Sequence, residues 1–250
     1  MDISIYHGIA AIERNNWWYK ARRDVISSLL KSFNKDGSTT GKRVLSVGCG
    51  VGGEIVFLKK YGEVFGIDSN KTAIDFCVTA GLSKEVRCAD AEHLPFSDNS
   101  FDTLFVLDVM EHVNNDDAAM KEIYRVLKIG GTLVLTVPAF QVLWTRSDER
   151  SHHHRRYTKR QVVSMVRKNN FIILKASYFN TLLFVPIAMI KLLTRVYEPK
   201  KMVGKEVNTP IPFVNALLYR IFRLEATLLK WVNFPFGISV IAIGVKNNSK

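Results

Sequence analysis

The sequence predicts an α/β fold, a doubly wound, mostly parallel seven-stranded sheet with a helical insertion before the last strand. Three observations carry this. The stretch 44–53, VLSVGCGVGG, is an apolar strand running into a glycine turn, and EIVFLKKY behind it reads as a helix. Short apolar strands then alternate with helical segments, the mark of parallel βαβ units. Three of those strands end on an aspartate: Asp68, Asp90 and Asp108. Ligands of such sheets bind beyond the carboxyl ends of the strands, so the three acids are expected to line one crevice.

Taken in order, residues 10–33 read as a helix dense in aromatic and basic side chains, and 36–41 (DGSTTG) as a loop. Strands are expected at 43–47, 64–67, 86–89, 103–107 and 132–137. Helices are expected at 54–61, 71–80 and 116–127, the last stopped by Gly130-Gly131. Residues 141–157 are polar and end in SHHHRRY. Thr158 then caps a helix through Lys168, a strand opens at 171–174, and the final strand is 238–245. The core is therefore expected at 1–179 and 237–250, with 180–236 inserted.

The insertion has an apolar part, 178–193, shorter than the roughly 20 residues a bilayer span needs and interrupted by Pro186. A second part, 213–233, has helical periodicity. Val214, Leu217, Leu218, Ile221, Leu224, Leu228 and Val232 share one face, with Arg220, Arg223 and Lys230 opposite. Glu225 falls among the apolar residues and is expected to pair with a nearby arginine, because a buried carboxylate needs a partner. Residues 198–212 between the two parts read as a basic loop.

Charge is uneven. Residues 1–150 hold 18 Lys+Arg and 20 Asp+Glu, whereas residues 151–250 hold 17 and 3, net −2 against +14. The basic half is either a solvated surface or the side that meets an anionic partner. Three cysteines without a CxxC pair argue against a disulfide framework, and no signal-peptide pattern opens the chain. Both point to a reducing, cytoplasmic setting.

The glycines alone suit either a dinucleotide or another nucleotide cofactor. The later motifs decide. AGLSKEVRCADAEHLPFSDNSFDTLFVLDVMEHV, followed by LKIGGTLVLTVP, closely resembles class I S-adenosylmethionine (SAM)-dependent methyltransferases of the small-molecule type. That type includes the ubiquinone and menaquinone methyltransferases. The resemblance spans about residues 40–138 and implies a Rossmann-like core that binds SAM and releases S-adenosylhomocysteine. It implies that Ser46, Gly48, Cys49, Gly50 and Gly52 lie at the methionine end of the cofactor. Asp68 with Ser69 would take the ribose, and Asp90 with Ala91 the adenine. Leu107, Asp108 and His112 would border the transferring methyl. The family usually has an acid where this chain has Ser46.

Trp17-Trp18-Tyr19 with Arg22-Arg23 resembles an aromatic-basic segment of close relatives. Either it closes over the cofactor, with Tyr19 or Arg22 facing the carboxylate, or it is a helix packed on the sheet. In an extended HHH segment only His152 and His154 share a face, and no Cys or acid is spaced along the chain to complete a metal site, so none is expected. His152 or His154 is instead a candidate base for a hydroxyl acceptor. Arg155 and Arg156 are candidates for a substrate phosphate or carboxylate.

The resulting expectation is methyl transfer to a small-molecule or lipid-linked, anionic acceptor, with residues 178–233 as a lid or a face toward an anionic membrane surface. The alternatives are an RNA methyltransferase gripping phosphates with the basic half, a SAM-binding protein without turnover, and an NAD dehydrogenase.

Overall fold

The computed structural model describes residues 3–33, 41–82, 86–196 and 210–247. The loops expected at 36–41 and 198–212 fall largely outside them. Among the described residues, seven strands form one sheet: β1 Arg43–Val47, β2 Glu63–Asp68, β3 Val86–Cys88, β4 Phe101–Leu107, β5 Leu127–Pro138, β6 Phe171–Phe179 and β7 Ser239–Lys246. Their order is β3-β2-β1-β4-β5-β7-β6. Strands β1 to β5 run parallel, and β7 runs antiparallel to both β5 and β6. The order reverses between β1 and β4, and this switch point opens the crevice at their carboxyl ends.

Alternation along β1 decides which core each side chain joins. Leu45 and Val47 face one layer, with Ala119, Met120 and Ile123 of α5 (Asp116–Val126) and Val162 and Val166 of α7 (Lys159–Lys168). Val44 faces the other layer, with Ala21, Val25 and Leu29 of α2 (Trp17–Phe33) and Ile55 and Leu58 of α3 (Gly53–Leu58). A strand covered on both faces is apolar throughout, as residues 44–47 nearly are.

Element boundaries differ from expectation in several places. The single helix over 10–33 is two, α1 (Ile3–Asn15) and α2. Asn16 breaks it, its Oδ1 accepting from the Trp18 N–H at 2.9 Å, the bond of a helix-capping side chain. Helix α5 stops at Val126 rather than at the glycine pair, because Leu127 already pairs with Phe101 and the glycines form an irregular turn inside β5. The helix over 71–80 is α4 (Lys71–Cys77), widened into a π turn over Val78–Leu82 where Gly81 turns left-handed. Strand β6 runs on to Phe179.

The insertion contributes α8 (Phe184–Val196) and α9 (Pro212–Leu228). Helix α9 lies along α2. Asn215 Oδ1 accepts from the Trp17 N–H at 2.8 Å, and the Tyr219 hydroxyl donates to Asp24 at 2.7 Å. Phe222 sits against Trp17 and Phe179, with ring centroids 6.0 and 5.9 Å away. The buried face is therefore Phe222, Glu225, Ala226 and Leu229, whereas Leu217, Leu224, Leu228 and Val232 are exposed. This corrects the expected apolar face. Apolar residues occupy so much of the helix circumference that periodicity leaves its rotation open, and polar anchors at Asn215 and Tyr219 settle it.

The arginine partner expected for Glu225 is also corrected. Its carboxylate is fully buried, and Oε1 accepts from the backbone N–H groups of Thr181 and Leu182 at 2.7 and 2.8 Å. Burial raises its pKa, against the pull of those bonds. It thus caps the chain entering α8. Glu225→Ala leaves two partly buried donors unpaired and is expected to lower stability by about 1–2 kcal/mol, whereas Glu225→Gln keeps an acceptor and stays within about 1 kcal/mol. Chemical denaturation of the two variants reads the difference.

Candidate functional site

Two adjoining cavities open at the carboxyl ends of β1, β2 and β4. The first, about 520 Å³, is lined by Asp68, Ser69, Asn70, Asp90 and Ala91 among others. The second, about 480 Å³, is lined by Glu13, Tyr19, Arg22, Cys49, Gly50 and Leu107 on one side and by Glu111, His153, Arg156 and Lys191 on the other. Gly48, Asp108, His112 and Ser151 border both, so the cavities meet where the β1 and β4 ends converge.

The turn after β1 builds the shared wall. Gly48 and Gly50 have φ of 68° and 51°, and a Cβ on Gly48 would lie 2.4 Å from Val109 Cγ2. Only glycine fits there. Asp68 ties this turn to β2: Oδ2 accepts from Gly50 N–H and Oδ1 from Asn70 N–H, both at 2.9 Å. Asp90 Oδ1 accepts from the Glu92 N–H at 2.9 Å, shaping the turn after β3. All three strand-end aspartates thus reach one crevice. Two turn residues do not reach it. Ser46 is buried inside β1 between Gly66 and Phe105, and Gly52 precedes α3 away from both cavities.

The floor of the second cavity is an ion cluster. Arg22 is buried, with one guanidinium nitrogen on Asp108 and the other on Glu54 at 2.9 Å. Burial works to strip its proton, but Glu54 and Asp108 outweigh it and hold the guanidinium more firmly charged than usual. Trp18 covers the guanidinium 4.5 Å from its ring centroid. Asp108 takes a left-handed φ of 56°, uncommon for a residue other than glycine, which turns its carboxylate off the strand end. The aromatic-basic segment thus both packs on the sheet and faces the cleft.

Glu13 of α1 reaches the same wall, although no sequence signal marked it. Its Oε2 is enclosed without a hydrogen-bond partner. Burial and the neighbouring Glu54 push its pKa up to about 7. A carboxyl raised in the folded state costs stability as pH climbs from about 4.5 to about 7.

Histidines border the junction. His153 Nδ1 lies 3.0 Å from Asp148 Oδ1, and Arg156 Nη2 meets the same oxygen at 2.7 Å. Against the burial penalty, these partners hold Asp148 well below the usual carboxylate range. His112 stacks edge-on against His153 at 4.7 Å. Desolvation of the part of the ring packed in the cleft and the nearby His153 push its pKa down to about 4, although much of the side chain stays open to solvent. Burial and the Asp108 carboxylate push Glu111 well above its usual range. Of the candidate bases, His152 borders the first cavity, whereas His154 is exposed and lines neither. The segment is not extended at His152, whose φ is 56°, and the middle histidine, His153, is the one that lines the second cavity. Arg155 turns away to Asp116 and the Asn114 carbonyl, whereas Arg156 lines the cavity.

Comparisons with known proteins bear on the family and the fold. Residues 45–135 match the family model described as a methyltransferase domain. A ubiquinone/menaquinone biosynthesis C-methyltransferase of Neisseria meningitidis is 34% identical over 145 residues, 52% of this chain and 57% of that protein. A sterol 24-C-methyltransferase of Neurospora crassa is 37% identical over 98 residues, 36% of this chain and 26% of that protein. The matches thus span less than two thirds of these relatives. Among solved structures, phosphoethanolamine N-methyltransferase 2 of Haemonchus contortus, in complex with SAM, superposes with a TM-score of 0.56 and 19% identity. That superposition covers 89% of this chain and 52% of that one, and it shows the fold. The chain is similar to class I SAM-dependent methyltransferases, as its motifs implied.

Removing the Arg22 charge leaves two carboxylates facing each other under cover. Arg22→Met is expected to lose about 3–5 kcal/mol in denaturant unfolding.

Proposed function

We propose that this protein transfers a methyl group from SAM to a small-molecule or lipid-linked acceptor. The observation that carries this is the pair of cavities meeting at Gly48, Asp108 and His112. One has the acids for an adenosine, and the other has Arg22 and room beyond it for an acceptor. When bound, the cofactor supplies a methyl on a sulfonium, whose departure needs no covalent protein nucleophile. The protein's share is alignment in a site sheltered from water.

Asp68 and Ser69 would hold the ribose, and Asp90 and Ala91 the adenine. Gly48 and Gly50 would let the methionine part approach the backbone, with Arg22 and Tyr19 toward its carboxylate. Glu13 takes over the task of the acid missing at Ser46. Its unpartnered Oε2 lies beside the same turn and would meet the methionine ammonium. His152 lines only the cofactor cavity, beside Ser151, so it is not assigned the role of base toward the acceptor.

Arg156 and Lys191 suit an acceptor with an anionic group. Lys191 comes from α8, so the insertion itself closes the acceptor cavity. Burial and Arg156 lower its pKa to about 8, which keeps it largely charged at neutral pH. The insertion also exposes a broad apolar surface, including Val185, Met189 and Leu193 of α8 and Phe213 and Leu224 of α9. Trp231 follows with 84% of its surface open. With the +14 half around it, this face suits an anionic membrane surface carrying the acceptor. Among the described residues, no helix is long and apolar enough to cross a membrane. The free thiols of Cys49, Cys77 and Cys88 fit the reducing, cytoplasmic side of such a membrane.

Calorimetry with SAM, followed by methyl transfer from labelled SAM into quinone and lipid acceptors, tests the reading, and absence of SAM binding overturns it. SAM affinity is expected to rise between about pH 6 and pH 8 as Glu13 ionises. In Glu13→Gln it is expected to fall about tenfold at the upper pH, with that part of the pH dependence removed. Separately, the protein is expected to sediment with anionic vesicles at low salt and to be released by high salt. If it stays in solution with them at low salt, the membrane face is discarded and methyl transfer is not.

A further inference from the structure

The wall of the second cavity carries a cluster in which the methyl-transfer reading gives Glu111 and His153 no role. Glu111, His112 and His153 each offer one ligand atom, and these atoms lie within 4.8 Å of one another. Glu111 is 1% exposed, and its Oε2 has no hydrogen-bond partner. A buried carboxyl oxygen without a hydrogen-bond partner is uncommon in folded proteins and marks a place where a donor or a cation fits. The nearby Arg156 does not serve, being engaged by Asp148 and by the Ala139 carbonyl at 3.1 Å.

The surroundings complete the pattern of a metal centre. The His153 Nδ1 side is occupied by Asp148, leaving Nε2 as its ligand atom. A carboxylate behind a histidine is the arrangement that orients a metal-binding imidazole and strengthens it as a donor. Asp148 is itself 2% exposed and fixed by the Thr145 N–H at 2.8 Å and by Arg156, so the orientation is rigid. Glu111 and His112 are adjacent in the turn after β4, and that turn is pinned to the histidine loop where His154 N–H donates to the Glu111 carbonyl at 2.7 Å.

We propose that Glu111, His112 and His153 bind a divalent transition-metal ion at the acceptor side of the junction. Two imidazoles and one carboxylate suit a borderline ion such as Zn²⁺, Co²⁺ or Fe²⁺ rather than Mg²⁺ or Ca²⁺. Bonds of about 2.1 Å place tetrahedral ligand atoms about 3.4 Å apart, so the cluster must close by on the order of 1 Å. His112, which is exposed, has room to swing. Three protein ligands leave a position open toward the cavity, and an acceptor oxygen is the group that would take it.

The test uses the full chain stripped with a chelator and titrated with Co²⁺, followed by its visible absorption, with Zn²⁺ then added as competitor. One equivalent of Co²⁺ is expected to bind and to be displaced by Zn²⁺. Glu111→Gln, nearly isosteric, and His153→Ala are each expected to weaken binding at least tenfold. Asp148→Asn, which touches no ion, is expected to weaken it about 10- to 100-fold. The double variant His152→Ala, His154→Ala keeps full binding and serves as the control for surface histidines. The proposal is overturned if the wild type takes up no Co²⁺, if Glu111→Gln binds undiminished while folded by circular dichroism, or if the double variant alone abolishes binding. Uptake is read without SAM or acceptor, so its failure and the failure of methyl transfer are separate results.

Discussion

Arg22 is the side chain on which the cleft depends. A buried guanidinium must find carboxylates, and it finds two: Glu54 at the start of α3 and Asp108 past the end of β4. Those acids belong to segments on opposite sides of the glycine turn. The cluster thus holds α2, α3 and β4 at set distances and draws Asp108 into its left-handed conformation. Glu54 is further held by Arg23 at 3.1 Å. Without the central cation the acids would repel each other under cover, and the second cavity would lose its floor.

The same helix carries the insertion. Helix α2 presents Arg22 to the cleft on one face and receives α9 on another, through Asn215, Tyr219 and Phe222. Glu225 then caps the chain where it leaves β6 for α8, and α8 brings Lys191 to the second cavity. A polar chain of contacts therefore runs from the wall of the cleft to the insertion. The apolar residues that these contacts leave outward on α8 and α9 form the exposed face. Burying one side of so apolar a helix necessarily presents the other.

Local signals served well where one element supplies the answer. Apolar runs bounded by glycine and aspartate located the strands, and Asp68, Asp90 and Asp108 were placed at one crevice because parallel strands end on one side. Thr158 was legible as a cap, and the structure shows its side chain accepting from Gln161 N–H. Where two elements had to meet, the chain was silent. Glu13 lies far from the glycines in sequence, and Glu111 and His112 are some forty residues from His153. The rotation of α9 and the partners of Glu225 depended on anchors in other segments. Leu127 left its helix for a strand because Phe101 was waiting beside it.

The sequence by itself determined the α/β class, the strand-turn-helix at 44–53, the nucleotide-type crevice and the likeness to SAM-dependent methyltransferases. Each rests on hydrophobic period, turn chemistry or short motifs, which are properties of neighbouring residues. Only the tertiary structure decided which acids from distant segments face the cleft, which histidine turns inward, and which face of the insertion is covered. Those outcomes follow from buried charge and polar groups seeking partners across the fold, and such partners are chosen by distance in space rather than by spacing along the chain.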